Sequence, residues 1–137
     1  GSLHIKLVAG VVGSAAATAF RKSLATPLPV TAAEALLDFA TVRKKIEKLS
    51  LGELILLNEQ LLLFIGGGKL TADVRPQARE NLLSFLKLLR KRKLDEAVAH
   101  FVSMVDKPKY EAAMTLCSES VELTQLMTDY MEGVQVS

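Results

Sequence analysis

The fold of this chain is decided by Ser50–Ile65, which reads SLGELILLNEQLLLFI and runs directly into Gly66–Gly68. Wound at 3.6 residues per turn, its leucines, isoleucines and phenylalanine point in every direction. A helix that is apolar all round needs cover on all sides, from other helices or from lipid. The stretch is shorter than the roughly 20 residues that span a bilayer, and two glutamates, Asn58 and Gln60 interrupt it. We therefore predict an all-α, single-domain bundle of five to six helices around a central helix at about 51–65.

Both ends of this central helix have local signals. Ser50 followed by Glu53 has the spacing of a capping box, and the glycine triplet offers a left-handed residue that closes a helix. Lys69 follows the glycines, but the spacing and the preceding strand of a phosphate-binding loop are missing, which favours a helix end. Four side chains of this helix are expected to be almost fully buried: Leu54, Leu57, Leu61 and Phe64.

The composition indicates one domain with an apolar surplus. The chain has 137 residues, of which 50% are hydrophobic. Such a surplus is covered by a buried helix, by an oligomer interface or by a membrane. The single cysteine, Cys117, excludes an intrachain disulfide and is compatible with a reducing compartment.

The charges are distributed unevenly along the chain. Residues 1–109 carry all seventeen basic residues and ten acidic ones, whereas residues 110–137 carry five acidic residues and no basic one. A basic body followed by an acidic last helix is compatible with complementarity inside one chain, with head-to-tail association, or with solubility alone.

The chain divides into three parts. Gly1 and Ser2 resemble the remnant of a cleaved tag. Residues 3–25 form a small-residue apolar segment, and residues 30–137 are the predicted helical bundle domain. The segment places small residues four apart, a spacing that lets two backbones approach closely. Its candidate interface residues are Ala9, Gly13, Ala17 and Phe20. We expect a helix packed on the bundle or on another chain, with a membrane-surface helix or a short strand as alternatives.

Four more helical segments follow from apolar periodicity and capping residues. One runs from Ala32 to Leu49, with Thr31 and Glu34 as a capping box. The next begins after Asp73 as N-cap, with Pro76 in its first turn. A shorter helix, either separated from its predecessor near Lys93 or continuous with it, begins at Leu94 and buries Ala97, Val98, Phe101, Val102 and Val105. The last is entered at Asp106 and runs from about Pro108 to Gly133.

No catalytic or metal-binding pattern is visible. His4 lies near the terminus, and His100 has only Glu96 one turn before it, which is the spacing of an ordinary surface pair. Cys117 lies on an apolar stripe and is expected to pack rather than react. We expect no enzyme activity, no metal and no cofactor.

Basic residues are the one feature above background. They form a single positive ridge if their helices pack side by side, and such a ridge attracts phosphates. The candidate anion-binding residues are Arg43, Lys44, Lys48, Lys87, Arg90, Lys91 and Arg92. Because no aromatic residues interleave with these charges, no stacking platform for bases is visible.

The sequence favours a non-catalytic helical protein-interaction or assembly module that associates with itself. This expectation combines the apolar surplus with the lack of a catalytic pattern. The alternatives are a nucleic-acid-binding protein that uses the basic ridge, and a membrane-associated protein that uses the N-terminal apolar segment.

Overall fold

The computed structural model describes residues 6–7, 27–92, 101–102 and 105–133. Within them the chain is all-α, and the prediction of five to six helices is confirmed. The helices are α1 (Ala32–Leu37), α2 (Phe39–Glu47), α3 (Leu51–Gly66), α4 (Arg75–Lys91), α5 (Lys107–Cys117) and α6 (Val121–Gly133). A two-residue antiparallel pair joins β1 (Lys6–Leu7) to β2 (Phe101–Val102).

The predicted central helix is α3, and its signals are confirmed. Ser50 N–H donates to Glu53 Oε1 at 2.9 Å, and Glu53 N–H donates to Ser50 Oγ at 3.2 Å, so the capping box is complete. After the helix, Gly68 adopts a φ of 72°, which a residue with a Cβ adopts only with strain. Helices α1 and α5 make the main contacts with α3.

Three of the four side chains expected in the core of α3 are fully buried, namely Leu54, Leu57 and Leu61. The prediction for Phe64 is wrong, because this ring is only half-buried. It lies in the last turn of α3, where Lys69 covers it instead, with Nζ 5.8 Å from the ring centroid.

The helix predicted from Ala32 to Leu49 is interrupted at Asp38. Its φ of −146° and ψ of 44° lie outside the helical region and separate α1 from α2. The Asp38 carboxylate accepts a hydrogen bond from Thr41 Oγ1 at 2.8 Å, a local bond of the kind that competes with helix continuation. The predicted Thr31–Glu34 capping box is present. The apolar stripe is still buried across the break, through Leu36, Phe39, Val42, Ile46 and Leu49.

Helix α4 does not begin as predicted. Its N-cap is Val74, which has no side-chain capping bond, whereas the Asp73 carboxylate accepts a hydrogen bond from the Thr71 hydroxyl. Asp73 is thus engaged by the preceding turn rather than by the helix. Pro76 lies in the first turn of α4, as expected.

The helix predicted from Leu94 is wrong at the residues that the structure describes. Phe101 and Val102 form strand β2, with Lys6 opposite Val102 and Leu7 opposite Phe101. Aromatic and β-branched residues suit a paired strand, and strand pairing depends on a distant partner that local periodicity does not show. The start of that predicted helix, including Ala97 and Val98, lies outside the described residues.

The helix predicted from Pro108 to Gly133 is two helices separated by a serine-rich turn. Ser118 Oγ donates to the Thr115 carbonyl at 2.8 Å, which closes α5. The Leu123 N–H donates to Ser120 Oγ at 3.1 Å, which opens α6. Serine hydroxyls at both ends satisfy backbone groups that a continuous helix would have paired itself. The Asp-then-Pro entry is confirmed, because Asp106 caps α5.

Long-range bonds fix the helices to one another. Asn81 Nδ2 on α4 donates to the Leu36 carbonyl on α1 at 2.6 Å. Arg92, directly after α4, donates from Nη1 to the Leu49 carbonyl after α2 at 2.9 Å. Both bonds satisfy carbonyls at or beyond helix ends, which have no partner within their own helix. In the part of the chain described, no helix is both long and apolar enough to cross a membrane.

Candidate functional site

The basic helix α4 lies against the acidic helix α6. Two ion pairs join them, Lys87–Glu122 at 3.1 Å and Arg90–Asp129 at 3.6 Å, and a third, Arg79–Glu119 at 2.9 Å, joins α4 to the turn before α6. The sequence positions of the paired residues increase together along the two segments, so α4 and α6 run in broadly the same direction. For these residues, the charge asymmetry of the sequence corresponds to complementarity inside one chain.

The buried side of α6 holds it in place more strongly than these charges do. Leu123, Met127 and Tyr130 are buried, whereas the Lys87–Glu122 and Arg90–Asp129 side chains are 40–66% exposed. Exposed ion pairs contribute little to stability. Their carboxylates and cations therefore remain available to a second molecule.

The seam between α4 and α6 is open at the surface. An inner cavity of about 150 Å³ is lined by Leu86, Leu89, Arg90, Leu126, Asp129 and Tyr130. Beside it, an outer opening of about 480 Å³ is lined by Lys87, Arg90, Val121, Glu122, Gln125 and Leu126. We refer to the cavity and the opening together as the α4–α6 groove. It has a leucine-rich floor, a basic wall on α4 and an acidic wall on α6.

Val121 is the most exposed large apolar side chain among the described residues, at 90%. It opens α6 at the edge of the outer opening. An isolated exposed valine is ordinary, but one that borders an apolar groove enlarges a continuous apolar surface. The groove therefore presents apolar area between two charged walls.

A buried polar cluster lies behind the groove. The Tyr130 hydroxyl donates to Glu59 Oε1 at 2.7 Å. Burial, followed by the neighbouring charge of Glu59 and the proximity of Tyr110, raises the pKa of Tyr130 well above its ordinary value. This bond ties α6 to the central helix. It also gives a buried partner to Glu59, one of the two glutamates in the apolar stretch Ser50–Ile65.

Asn58 is the second buried polar residue of α3. Its side chain is completely buried, and among the described residues neither amide atom has a partner with hydrogen-bonding geometry. The amide lies close enough to Tyr130 to oppose slightly the rise in pKa of that hydroxyl. A buried amide without a well-formed bond lowers stability.

The candidate basic residues are in different environments. On α2, Arg43 forms an ion pair with Glu47 at 3.7 Å and lies over the Phe39 ring at 5.7 Å from its centroid. Lys44 on the same helix is exposed, and so is Lys48, the residue that directly follows the helix.

The candidate basic residues of α4 are divided between two tasks. Lys87 and Arg90 are paired with the carboxylates of α6, and Arg92 caps the end of α2 through the Leu49 carbonyl. Lys91 is exposed. The Arg92 bond brings the ends of α2 and α4 together, and the single positive ridge stays a prediction.

The remaining candidates are the N-terminal interface residues, the two histidines and Cys117. Ala9, Gly13, Ala17 and Phe20 lie outside the described residues, as do His4 and His100. Burial raises the pKa of the Cys117 thiol to about 12, so the thiol stays protonated at neutral pH. No group of three or more metal-binding side chains occurs in residues 27–92 or 105–133.

The groove was not anticipated from the sequence. Val121 lies two residues before Leu123 and is off the buried stripe of α6. This position outside the stripe was the sequence signal for an exposed apolar side chain. The cavity itself arises from two helices that are about 40 residues apart in the chain.

By its described residues the chain belongs to the class of all-α helical bundles. No family model, curated protein or solved structure matches it. The features of the described residues that bear on function are the groove, its charged walls and the buried cluster.

Proposed function

We propose that this chain is a non-catalytic helical assembly module that associates with itself. The observation that carries the proposal is the α4–α6 groove, an open apolar seam bordered by Val121, which is 90% exposed. Apolar surface rimmed by charged side chains is typical of protein contact sites.

The walls of the groove support a protein partner over a small polar ligand. The floor offers leucine side chains, and the polar groups at the rim are already paired with one another. Exposed pairs of this kind contribute specificity and rate of association more than affinity. A partner with apolar side chains and charges of both signs fits such a surface.

Sedimentation velocity of the full chain over a wide concentration range tests this proposal. We expect the weight-average sedimentation coefficient to rise with concentration, and light scattering to give a mass above one chain. A Kd of about 1 mM corresponds to a binding free energy of only about 4 kcal/mol. The mass of a single chain at every concentration up to that value would contradict self-association.

A second candidate function is the binding of a phosphate polymer. The Arg92–Leu49 bond favours it, because it holds the ends of α2 and α4 together and places exposed Lys48 and Lys91 on that side of the bundle. Clustered cations of this kind bind nucleic acid with strong salt dependence.

The test of this second function is a triple substitution, Lys44→Glu, Lys48→Glu and Lys91→Glu, at exposed lysines that make no ion pair or side-chain hydrogen bond within the described residues. We expect retention on heparin and binding to labelled RNA to be lost if the ridge is functional. Arg90 and Arg92 are left unchanged because their bonds join helices. Equal retention of the triple variant and the parent chain would leave these lysines as solvated surface.

A further inference from the structure

We infer that the α4–α6 groove packs face to face against the α4–α6 groove of a second copy. A two-fold axis that runs along the groove relates the two copies. This inference rests on the proposed self-association and adds the contact surface and its geometry. The evidence is the opposite charge of the two walls, the position of Val121 and the exposure of the ion pairs.

The charges select the direction of the axis. When two copies meet face to face, the two-fold axis lies in the plane between them. An axis across the groove would place α4 against α4, with Lys87 and Arg90 facing the same cations of the second copy. An axis along the groove places each α4 against the α6 of the other copy, so that basic walls meet acidic walls. Like charges held face to face are unfavourable, so the second arrangement is selected.

The same rotation fixes the register. A two-fold axis along the groove leaves the height of each residue unchanged. Lys87 and Glu122 are at the same height, because their side chains meet at 3.1 Å within one chain. Lys87 of each copy therefore faces Glu122 of the other, and Arg90 faces Asp129 in the same way. The pairs can exchange partners across the interface without leaving a charge unpaired.

Val121 supplies the apolar contact. It extends from the acidic wall at the level of Glu122. In the dimer, Val121 of one copy therefore faces the basic wall of the other copy, near Lys87 of that copy. There it covers the methylene stem of the lysine, which carries its charge at the tip, and the adjoining leucine floor. The side chain that is 90% exposed in one copy is thereby removed from water.

The size of the surface indicates a weak association. Helix α6 has 13 residues, which corresponds to a length of about 20 Å. Two helices side by side are about 20 Å wide, so each copy buries roughly 400 Å² and the pair roughly 800 Å². Interfaces of this size are transient, and the measurement has to extend to high protein concentration.

The first experiment compares two neutral substitutions of exposed apolar residues by sedimentation equilibrium of the full chain. Val121→Gln is expected to weaken dimerisation by about tenfold to a hundredfold, since it removes one buried valine from each of the two copies. Leu37→Gln, at the other exposed large apolar residue of the described chain, is the matched control and should leave dimerisation unchanged. Both variants should keep the parent helical signal in circular dichroism.

The second experiment reverses one wall at a time. One variant carries Lys87→Glu and Arg90→Glu, which makes both walls acidic. The other carries Glu122→Lys and Asp129→Lys, which makes both walls basic. We expect each variant alone to be monomeric and an equimolar mixture to form a dimer of one copy of each, which dissociates as salt is raised.

The outcomes separate this inference from the proposed function. Self-association that withstands Val121→Gln, together with a mixture that forms no mixed dimer, would overturn the inference and leave self-association at another surface. A parent chain that stays monomeric throughout would overturn both. Loss of dimerisation in Val121→Gln but not in Leu37→Gln, with the mixed dimer formed, would establish this face.

Discussion

Tyr130 connects α6 to the centre of the molecule through a buried hydrogen bond. Its hydroxyl meets Glu59 Oε1 at 2.7 Å in the interior. The substitution Tyr130→Phe keeps the ring and removes that donor. We expect the free energy of unfolding to fall by about 1–3 kcal/mol, because a buried carboxylate loses a partner. Urea denaturation at neutral pH measures this, and an unchanged midpoint would show that the bond contributes nothing to stability.

The same residue predicts how stability changes at high pH. The pKa of Tyr130 is raised well above 10.0 in the folded chain, first by burial and then by the charge of Glu59. The protonated form is therefore favoured by folding, so its contribution is complete below pH 10 and is lost as the pH rises above that value. We expect the parent chain to lose stability progressively as the pH rises above about 10, and Tyr130→Phe to lose less. Parallel slopes for the two proteins would contradict the assignment.

Asn58 offers the opposite test at the residue scale. Its amide is fully buried and, within the described residues, has no bond of good geometry. Because a buried polar group without a partner is unfavourable, Asn58→Leu should leave stability unchanged or raise it by about 1–2 kcal/mol. Chemical denaturation checks this. A loss of more than about 1 kcal/mol would mean that the amide makes a stabilising contact.

At the scale of elements, α3 is the helix on which the others depend. Leu61 is completely buried, and Leu61→Ala removes apolar contacts with the surrounding helices. We expect a loss of about 2–5 kcal/mol in the free energy of unfolding. A loss below about 1 kcal/mol would show that α3 is not the centre of the core.

The contact between the end of α3 and the start of α5 requires a glycine. A Cβ at Gly66 would lie 2.4 Å from Lys109 Cγ and 2.9 Å from Lys109 Cα, so both side chain and backbone of α5 would have to move. We expect Gly66→Ala to lower stability by about 1–3 kcal/mol.

The matched control for this contact is Gly67→Ala in the same turn. A Cβ there meets only the Leu63 carbonyl oxygen at 3.2 Å and the Phe64 carbonyl oxygen at 3.5 Å, and Gly67 has right-handed φ and ψ. It should cost clearly less than Gly66→Ala. Thermal melts that rank the two variants in the reverse order would contradict close packing of α5 on α3.

At the scale of the whole molecule, charge is arranged differently from what its order along the chain suggests. The acidic C-terminal part neutralises Arg79, Lys87 and Arg90 of α4 within one molecule. The exposed cations that remain on α2 and at the end of α4 are fewer than the predicted ridge contains. Whether a second copy or a phosphate polymer uses these surfaces is decided by the reversal experiments, since each surface is changed separately.

The sequence by itself determined the features that depend on neighbours within about one turn. Ser50 with Glu53 and Thr31 with Glu34 form capping boxes, and Gly68 takes the left-handed conformation after α3. The all-round apolar pattern of α3 identified the buried centre, because a helix without a polar face has to be covered. The predictions of local structure are confirmed because each depends on residues three or four positions apart.

Only the tertiary structure decided where helices break and which surfaces meet. The helix breaks at Asp38 and at Ser118–Ser120 are accompanied by local side-chain hydrogen bonds. Aspartate and serine also occur on the exposed faces of continuous helices, so the sequence does not mark these positions as breaks. The Tyr130–Glu59 bond joins residues 71 positions apart, and the groove joins helices separated by α5. Periodicity reports which face of a helix is apolar but not which distant helix covers it, so the Val121 edge and the α4–α6 groove appear only once the chain is folded.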